Sequence, residues 1–469
     1  MSQNNVPIKR IAMLVGGGPA PGINGVISAV TIQAAEIHRI EVLGIDDGYR
    51  WIMEGISDHI HPLRYHREKE IRRPGDKDVR HIHLRGGSIL GTSRANPTKD
   101  DRHMQNVLKV FQDLGVDALV SIGGDDTAYT ASQVYKQAQG RIRVAHVPKT
   151  IDNDLPLPGS TPTFGFETAR HLGVQVVRNL VEDARTTSRW YLVVSMGRAA
   201  GHLALGIGKA APATVTIIPE EFVKHELTLD HLCDILVGSL VKRTAFGSGH
   251  GVAILAEGLI EAINPDELER TIKSAKGAYG TVKRDPHGNL RMGEIEFGRM
   301  MRDLVSKRLD ALKFEVTLID KDLGYELRCA DPIPFDAEYT RDLGYGAVKF
   351  LCSEESTKYG AIISFEQGSM KPLRFEKMLD PKTKRMATRK VNIDGESYEC
   401  ARHYMIRLER EDFASDDRLA RLADVVHMSP DQFERRFGYL VQPPKVKRGK
   451  LGASNDGVKE GNARPAKVS

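Results

Sequence analysis

The chain has 469 residues, of which 41% are hydrophobic and 28% charged, and it carries a net charge of +5. This length and apolar fraction suffice for two or three domains with buried cores, which excludes a disordered or fibrous chain. The whole surplus charge lies in residues 441–469, which hold seven bases and two acids, so the remaining body is neutral. A neutral body argues against a nucleic-acid-binding protein.

Four cysteines stand far apart with no CxxC pair, which favours reduced thiols over a disulfide or zinc framework. The first ten residues lack an apolar signal core, and no run of about 18 apolar residues occurs, so we expect no membrane partner. These observations predict a cytoplasmic protein.

Short apolar runs that end in glycine-rich or polar turns recur along the chain. They are Arg10–Val15, Asp117–Ile122, Val144–Val147, Trp190–Ser195 and Val252–Ala256. Buried strands separated by helical stretches predict parallel sheets in an α/β protein. Ligands of such sheets bind at the carboxyl ends of the strands, so the turns are the candidate site.

The first turns carry groups suited to phosphate and metal. Glycines 16, 17, 18 and 22 leave backbone N–H groups uncovered before a helix, although the spacing matches neither standard glycine-rich phosphate motif. A ligand-free strand–helix turn therefore remains the alternative. Asp125 and Asp126 follow Gly124 at the next strand end, either as helix caps or, for Asp125, as a ligand of Mg²⁺.

The segment 148–154, PKTIDND, is the most informative part of the chain. A lysine, a hydroxyl, an amide and two carboxylates are crowded together there, a combination that structure alone does not need. Asp152 and Asp154 can face one way from an extended loop, so that one accepts a proton from an attacking hydroxyl. Lys149 is expected to neutralise phosphate charge.

Weaker signals lie in three further segments. Arg198 stands at the start of a helix, where it could hold an anion or remain a surface arginine. Tyr325 and Arg328 add a hydroxyl and a guanidinium, and Arg94 adds a third guanidinium. His202 is interpreted as packing or capping.

The C-terminal part offers no catalytic motif. The alternation in Lys390–Tyr398 predicts a hairpin within a charged elaboration near 380–400. From residue 443 the composition predicts a disordered basic tail, 443–469.

In this order, GGGPAPGIN (16–24), GTSR (91–94), GGDD (123–126), PKTIDND (148–154), MGR (196–198), AEG (256–258) and GYELR (324–328) resemble the phosphofructokinase family. The resemblance covers roughly residues 10–350. It implies a two-lobed, doubly wound fold of mostly parallel sheets. The N-terminal lobe, 1–163, is expected to be completed by about 328–380, and the C-terminal lobe, 164–327, by about 400–442.

The resemblance also implies roles for individual residues. Asp152 is the base that deprotonates the 1-hydroxyl of fructose 6-phosphate, Asp125 binds Mg²⁺, and Gly17 and Arg94 contact the donor. The expected sugar-phosphate residues are Thr150, Asp152, Asp154, Met196, Gly197, Arg198, Glu257, Tyr325 and Arg328. Arg189 is expected to reach the active site of a neighbouring subunit in a homodimer or homotetramer.

Two positions indicate the phosphoryl donor. Asp126 stands where ATP-dependent members have glycine, and an unpaired carboxylate there would oppose the α-phosphate of a nucleotide. Lys149 replaces a second glycine of many ATP users. Both changes resemble the pyrophosphate-dependent branch, and imply a near-reversible phosphoryl transfer in glycolysis or gluconeogenesis.

Other functions stay open at this point. They are an ATP-dependent phosphofructokinase that tolerates Asp126, a lipid or NAD kinase with a similar GGDG-like turn, and a non-catalytic sugar-phosphate sensor. Intact Asp152 argues against the sensor.

Overall fold

A computed structural model of the chain describes residues 7–65, 77–159, 161–223, 226–283, 291–380 and 386–441. The predicted disordered tail lies outside these residues. Among them, no helix combines the length and the apolar character needed to cross a bilayer.

Eight strands form the larger sheet, in the order β14-β11-β6-β5-β1-β2-β3-β4. Their bounds are β1 Arg10–Val15, β2 Glu41–Ile45, β3 Ile60–Arg64, β4 Lys77–Asp78, β5 Ala118–Gly123, β6 Arg143–Pro148, β11 Ala361–Ile362 and β14 Leu373–Arg374. The central pairs are parallel, whereas β2–β3 and β11–β14 are antiparallel. All the carboxyl ends of β1, β5 and β6 therefore meet at one edge.

Four parallel strands form the smaller sheet, in the order β10-β7-β9-β8. They are β7 Trp190–Ser195, β8 Val215–Ile217, β9 Gly251–Ala256 and β10 Leu318–Leu323, and a separate hairpin pairs β12 Phe365–Glu366 with β13 Ser369–Met370. The predicted lobe boundary at 163/164 falls between the segments that build the two sheets, and the lobe assignment itself stays a prediction.

Helices cover both faces of each sheet. Their bounds are α1 Ile23–Ile32, α2 Asp101–Asp113, α3 Asp125–Ala138, α4 Phe166–Thr187, α5 His202–Ala210, α6 Leu229–Ala245, α7 Leu259–Ala262, α8 Pro265–Ser274, α9 Phe297–Ala311, α10 Pro334–Leu351, α11 Phe375–Met378, α12 Glu396–Tyr404, α13 Arg410–Ala414, α14 Asp416–Val425 and α15 Pro430–Phe437. Apolar cores lie on the two faces of the larger sheet and the two faces of the smaller one. Burial on both faces explains why the central strands read as continuous apolar runs.

The predicted doubly wound α/β fold is confirmed, and each of the five apolar runs is a strand within one residue of the expected bounds. The hairpin predicted over Lys390–Tyr398 is wrong, because residues 390–395 form no strand and α12 begins at Glu396. The alternation has another cause: Val391 and Ile393 pack on the core of the smaller sheet from an irregular segment.

The buried carboxylate of Asp336 connects α10 to the start of α4. Asp336, in α10, accepts hydrogen bonds from the backbone N–H of Gly165 and of Thr168, both at 2.8 Å, and from the Thr168 hydroxyl at 2.6 Å. Gly165 caps α4 with a φ of 91°, and Asp336 has no exposed surface. The carboxylate therefore satisfies donors at a helix start that water cannot reach.

We expect Asp336→Ala to lower the free energy of unfolding by about 2–4 kcal/mol, because it strands several buried donors at once. The midpoint of urea-induced unfolding measures the loss. Asp342→Ala, at an exposed position of the same helix, is the matched control and should leave the midpoint close to that of the unchanged chain. An unchanged midpoint for Asp336→Ala would contradict the capping role.

Candidate active site

Two adjoining chambers lie where the strand ends of both sheets face each other. The glycine-turn chamber is the smaller, at about 70 Å³, and is lined by residues that include Gly17, Asp125, Asp126, Lys149, Thr150 and Asp152. The Glu257 chamber measures about 300 Å³ and is lined by residues that include Asp154, Met196, Glu257 and Tyr325. Arg94, Asp125, Arg198 and Arg328 line both chambers, so the two form one continuous cleft.

The glycine turn after β1 forms one wall of the glycine-turn chamber. Gly17 has a φ of 81°, which L side chains rarely adopt, and a Cβ built there would lie 3.5 Å from the Lys149 ammonium nitrogen. A Cβ at Gly18 would lie 3.2 Å from the guanidinium carbon of Arg328. Glycine therefore lets two cations approach the backbone of the turn.

Asp125 and Asp126 are the first two residues of α3, after Gly124. The Arg198 guanidinium bridges them, with its nitrogens 2.8 Å from an Asp125 oxygen and 3.4 Å from an Asp126 oxygen. The premise that Asp126 is unpaired is therefore wrong: Arg198 follows β7 of the other sheet and crosses the cleft to it. The Asp125 charge holds the pKa of Arg198 well above its usual value.

Lys149 is buried, with 3% of its surface exposed, and its ammonium group donates to the Gly18 carbonyl. Its backbone N–H donates to the Gly123 carbonyl at 2.8 Å, which ties the loop after β6 to the loop after β5. Burial, with a smaller contribution from the Arg328 charge, lowers the pKa of Lys149 to about 7. An anionic ligand would restore its charge.

Asp152 and Asp154 are buried, and they line different chambers: Asp152 the glycine-turn chamber and Asp154 the Glu257 chamber. The expected extended loop is wrong, because Asn153 between them takes a left-handed φ of 55°. Burial raises the pKa of Asp152, and burial together with the Asp152 charge raises the pKa of Asp154 to about 7. Buried acids with raised pKa values on the wall of a cleft are candidates for proton transfer.

Thr150 shapes the loop around Asp152. Its hydroxyl oxygen accepts the Asp152 N–H at 3.0 Å, and its carbonyl accepts the Thr163 hydroxyl at 2.7 Å. Thr163 N–H also donates to the Asn153 side chain at 3.1 Å. These local bonds fix the loop without an extended strand.

Glu257 organises the loop after β7. One carboxylate oxygen accepts the N–H groups of Gly197 and Arg198, both at 3.2 Å. Arg198 has a left-handed φ of 48°, which these bonds hold. Burial, followed by the Asp152 charge, raises the pKa of Glu257. Met196 lines the same chamber beside it.

Tyr325 and Arg328 follow β10 on a short helical turn. The Arg328 guanidinium lies 5.0 Å from the centre of the Tyr325 ring, and 68% of the tyrosine is exposed. Arg328 faces both chambers, as does Arg94. Two cations thus stand at the junction of the two chambers.

Arg189 does not join this cluster. It precedes β7, whereas Met196, Gly197 and Arg198 follow that strand, so the sheet separates it from both chambers. The structure of the single chain leaves its predicted role at a neighbouring subunit untested.

Sequence patterns missed several residues of the cleft. Arg291, Glu294 and Thr388 line the Glu257 chamber, and Tyr49 lines the other. None of the first three follows an apolar run, so no strand-end signal marks them.

His202 begins α5 with its Nε2 3.3 Å from the Arg389 carbonyl, and burial lowers its pKa to about 4.

The donor set fits a magnesium ion that arrives with a phosphorylated ligand. Among the described residues, no cluster of three or more histidine, cysteine or acidic side chains is arranged to hold a metal. Magnesium typically takes one or two carboxylates and completes its shell with water and substrate phosphates. Asp125 on the wall of the cleft meets that requirement, and Asp126 stands next to it.

Comparisons with known proteins agree with this geometry. A family model described as Phosphofructokinase matches residues 10–351. A Thermotoga maritima protein named pyrophosphate--fructose 6-phosphate 1-phosphotransferase is 46% identical over 436 residues, 93% of this chain and 100% of the relative. A Naegleria fowleri protein of the same name is 45% identical over 449 residues, 94% of this chain and 98% of the relative.

Solved structures show the same fold. The crystal structure of pyrophosphate-dependent phosphofructokinase from Marinobacter aquaeolei aligns with a TM-score of 0.60 and 17% identity, over 89% of this chain and 92% of that chain. At this identity the likeness supports the fold alone.

Proposed function

The chain belongs to the phosphofructokinase family, and from that membership we infer that it transfers a phosphoryl group from pyrophosphate to the 1-hydroxyl of fructose 6-phosphate. The products are fructose 1,6-bisphosphate and phosphate, and the reaction runs in either direction. The near end-to-end match to two relatives named for this reaction carries the inference.

The cleft supplies a place for each substrate. Pyrophosphate binds in the glycine-turn chamber, which Lys149 and Arg94 line. The expectation that the N–H groups of the glycine turn are uncovered is wrong for Gly16 and Gly17, because they donate to the carbonyls of Ile122 at 2.9 Å and Ser93 at 2.8 Å. Fructose 6-phosphate binds in the Glu257 chamber, against Met196 and Tyr325. Arg198 and Arg328 line both chambers and neutralise the phosphoryl group as it passes from one substrate to the other.

Asp152 is the base in this proposal. Its carboxylate accepts the proton of the sugar 1-hydroxyl as that oxygen attacks the phosphorus. Asp154 lies two residues further along the chain and lines the chamber of the sugar, while Thr150 holds the loop. Positioning and electrostatics account for most of the rate enhancement in such transfers.

Asp125 would hold Mg²⁺ together with the donor phosphates. Bound there, the ion would neutralise the charge on the pyrophosphate oxygens. Asp125 would then share its charge between the ion and the Arg198 guanidinium, which pairs with it at 2.8 Å.

Asp126 selects the donor in this proposal. Its carboxylate lies in the glycine-turn chamber, where the pair with Arg198 at 3.4 Å lessens but does not remove its negative charge. Its bulk and charge leave little room for the α-phosphate of ATP.

We expect Asp126→Gly to lower the ratio of kcat/KM for pyrophosphate to kcat/KM for ATP by about tenfold or more, since roughly 1.4 kcal/mol of discrimination corresponds to that factor. Initial rates with each donor measure the ratio. Asp126→Asn keeps the volume and removes the charge, so it separates the two causes. No gain in ATP use or binding by the glycine variant would contradict this role.

Two further expectations belong to the same proposal. The functional unit is a homodimer or homotetramer in which Arg189 of one subunit reaches the sugar phosphate bound to another, and the protein works in the cytoplasm. Sedimentation analysis, combined with activity of Arg189→Ala, checks the first.

Direct product analysis tests the proposed reaction. The purified chain, incubated with fructose 6-phosphate, pyrophosphate and Mg²⁺, should convert pyrophosphate to phosphate and fructose 1,6-bisphosphate, as followed by phosphorus NMR. The reverse mixture should regenerate pyrophosphate. Absence of both conversions would refute the proposal.

A further inference from the structure

Residues Met386–Ile393 form an irregular segment, here called the strap, which crosses from the loop that carries Asp152 to the loop before α5. The strap lies beyond residue 351, where the family match ends. None of the roles assigned above uses it, although Thr388 lines the Glu257 chamber.

Arg389 anchors one end of the strap. Its Nε donates to the Asn153 carbonyl at 3.1 Å, its Nη1 donates to the Thr161 carbonyl at 2.9 Å, and its Nη2 donates to the Asn153 side-chain oxygen. Its backbone N–H donates to the Asp154 carbonyl at 2.6 Å. Every one of these four bonds ends on the segment that follows the proposed base.

Asn153 needs such support. Its left-handed φ of 55° costs a non-glycine residue about 1 kcal/mol or more and persists only where its surroundings hold it. Asp152 lines one chamber and Asp154 the other, on the two sides of this backbone turn. The Arg389 guanidinium donates to both the carbonyl and the side-chain oxygen of Asn153, the residue between the two carboxylates.

The other end of the strap is held by the smaller sheet. Lys390 donates from its ammonium group to the Ala199 carbonyl, next to Arg198 in sequence. The Val391 N–H donates at 3.1 Å to the Glu220 carboxylate, which also accepts the Gly201 N–H at 3.0 Å. The strap therefore joins the loop of the base to the loop that faces the sugar.

We propose that Arg389 is a positioning residue, which sets the orientation of Asp152 toward the hydroxyl of fructose 6-phosphate by fixing Asn153. The inference rests on the proposed function. It assigns Arg389 no contact with either substrate. A rigid fork with three donors to one loop suits this task better than a point charge does.

The Arg389 charge has a second effect. The charged groups that influence Asp154 are Asp152 and Asp125, which disfavour its ionisation, and Arg198 and Arg389, which favour it. Glu257 lines the same chamber. Loss of the Arg389 charge should therefore raise the pKa at which the acidic pair becomes ionised, and move the acid limb of the pH–rate profile upward.

Steady-state kinetics of Arg389→Met, with pyrophosphate as donor, test the proposal. We expect kcat to fall about 10- to 100-fold, because small misplacement of a reacting group costs rates of this order. The KM values for both substrates should stay within about twofold. The acid limb of kcat should move to higher pH. Arg389→Lys keeps the charge without the fork, so its kcat should stay low while its acid limb stays close to that of the unchanged chain.

Asn153→Gly provides the second arm. Glycine adopts the left-handed backbone without strain and removes the amide oxygen that accepts from Arg389 Nη2, while the carbonyls of residue 153 and Thr161 remain. Adding Arg389→Met to this background should therefore cost less than it costs alone. Arg374→Met, at an exposed arginine whose guanidinium lies 4.2 Å from the Tyr359 ring, is the matched control and should keep normal kcat.

Three outcomes would overturn the proposal. The first is an Arg389→Met enzyme whose kcat is within twofold of that of the unchanged chain and whose acid limb lies at the same pH. The others are an equal loss of kcat from Arg389→Met with Asn153 and with Gly at position 153, and an Arg389→Lys enzyme with full kcat. The Arg389→Lys arm decides the matter if Arg389→Met does not fold. The unchanged chain, assayed alongside, separates this inference from the proposed function, because only failure of the latter abolishes its own turnover with pyrophosphate.

Discussion

Replacing Asp152 with asparagine is expected to lower kcat about 10²- to 10⁴-fold, the usual contribution of a positioned general base. The amide keeps the shape of the carboxylate but has little affinity for the proton of the sugar hydroxyl. Asp152 is 7% exposed, so water cannot readily take its place. Initial rates at saturating fructose 6-phosphate and pyrophosphate measure the loss.

Substrate binding supplies the control for this variant. Because Asp152→Asn removes a buried negative charge, the affinity for both anionic substrates should be unchanged or higher, as measured by calorimetry. Asp154→Asn is the comparison at the neighbouring carboxylate, and its loss of kcat should be smaller. Turnover by Asp152→Asn equal to that of the unchanged chain would remove Asp152 as the base and reopen the non-catalytic sensor reading.

Replacing Lys149 with methionine is expected to lower kcat/KM for pyrophosphate about 10²- to 10³-fold, since a preorganised group facing developing charge in a dry site typically contributes this much. Methionine fills similar space, so the turn at Gly17 and Gly18 should keep its packing. The affinity for fructose 6-phosphate should change little, because Lys149 lines the glycine-turn chamber only.

Lys149→Arg keeps the charge and is the matched control. It should retain more activity than the methionine variant. The wider guanidinium has little space, because the Lys149 ammonium nitrogen already lies close to the backbone of the turn, 3.5 Å from where a Cβ at Gly17 would stand. Burial lowers the pKa of Lys149 to about 7 in the chain without ligand, so above neutral pH the side chain is mostly uncharged. Because an anionic donor favours the charged lysine, donor binding there should take up protons from solution. A methionine variant within threefold of the unchanged chain would contradict the role of this cation.

Much of the cleft could be predicted from the sequence, because five central strands are buried on both faces and appear as continuous apolar runs. Their turns then place Gly17, Asp125 and Asp152 at sheet edges. The strands at Val215–Ile217 and Leu318–Leu323 were not predicted: the first is very short, and the second carries exposed polar residues. The residues of the Glu257 chamber came from the family resemblance, because no spacing rule identifies them.

Contacts between distant segments could not be predicted. Nothing local indicates that Arg198 pairs with Asp126, so the carboxylate looked unpaired. The strap was misread for a physical reason as well. Alternate anchoring of Val391 and Ile393 on the core imitates the period of a strand, whereas Arg389 and Lys390 just before them bond to loops of both sheets.

The central claim is that pyrophosphate is the phosphoryl donor, and paired rates test it most directly. The same purified protein is assayed with fructose 6-phosphate and Mg²⁺, once with pyrophosphate and once with ATP, each over its full saturation range. We expect kcat/KM to be higher with pyrophosphate by a factor of about 10² or more, equivalent to roughly 3 kcal/mol of discrimination. Higher kcat/KM with ATP would contradict the account and favour an ATP-dependent phosphofructokinase that tolerates Asp126.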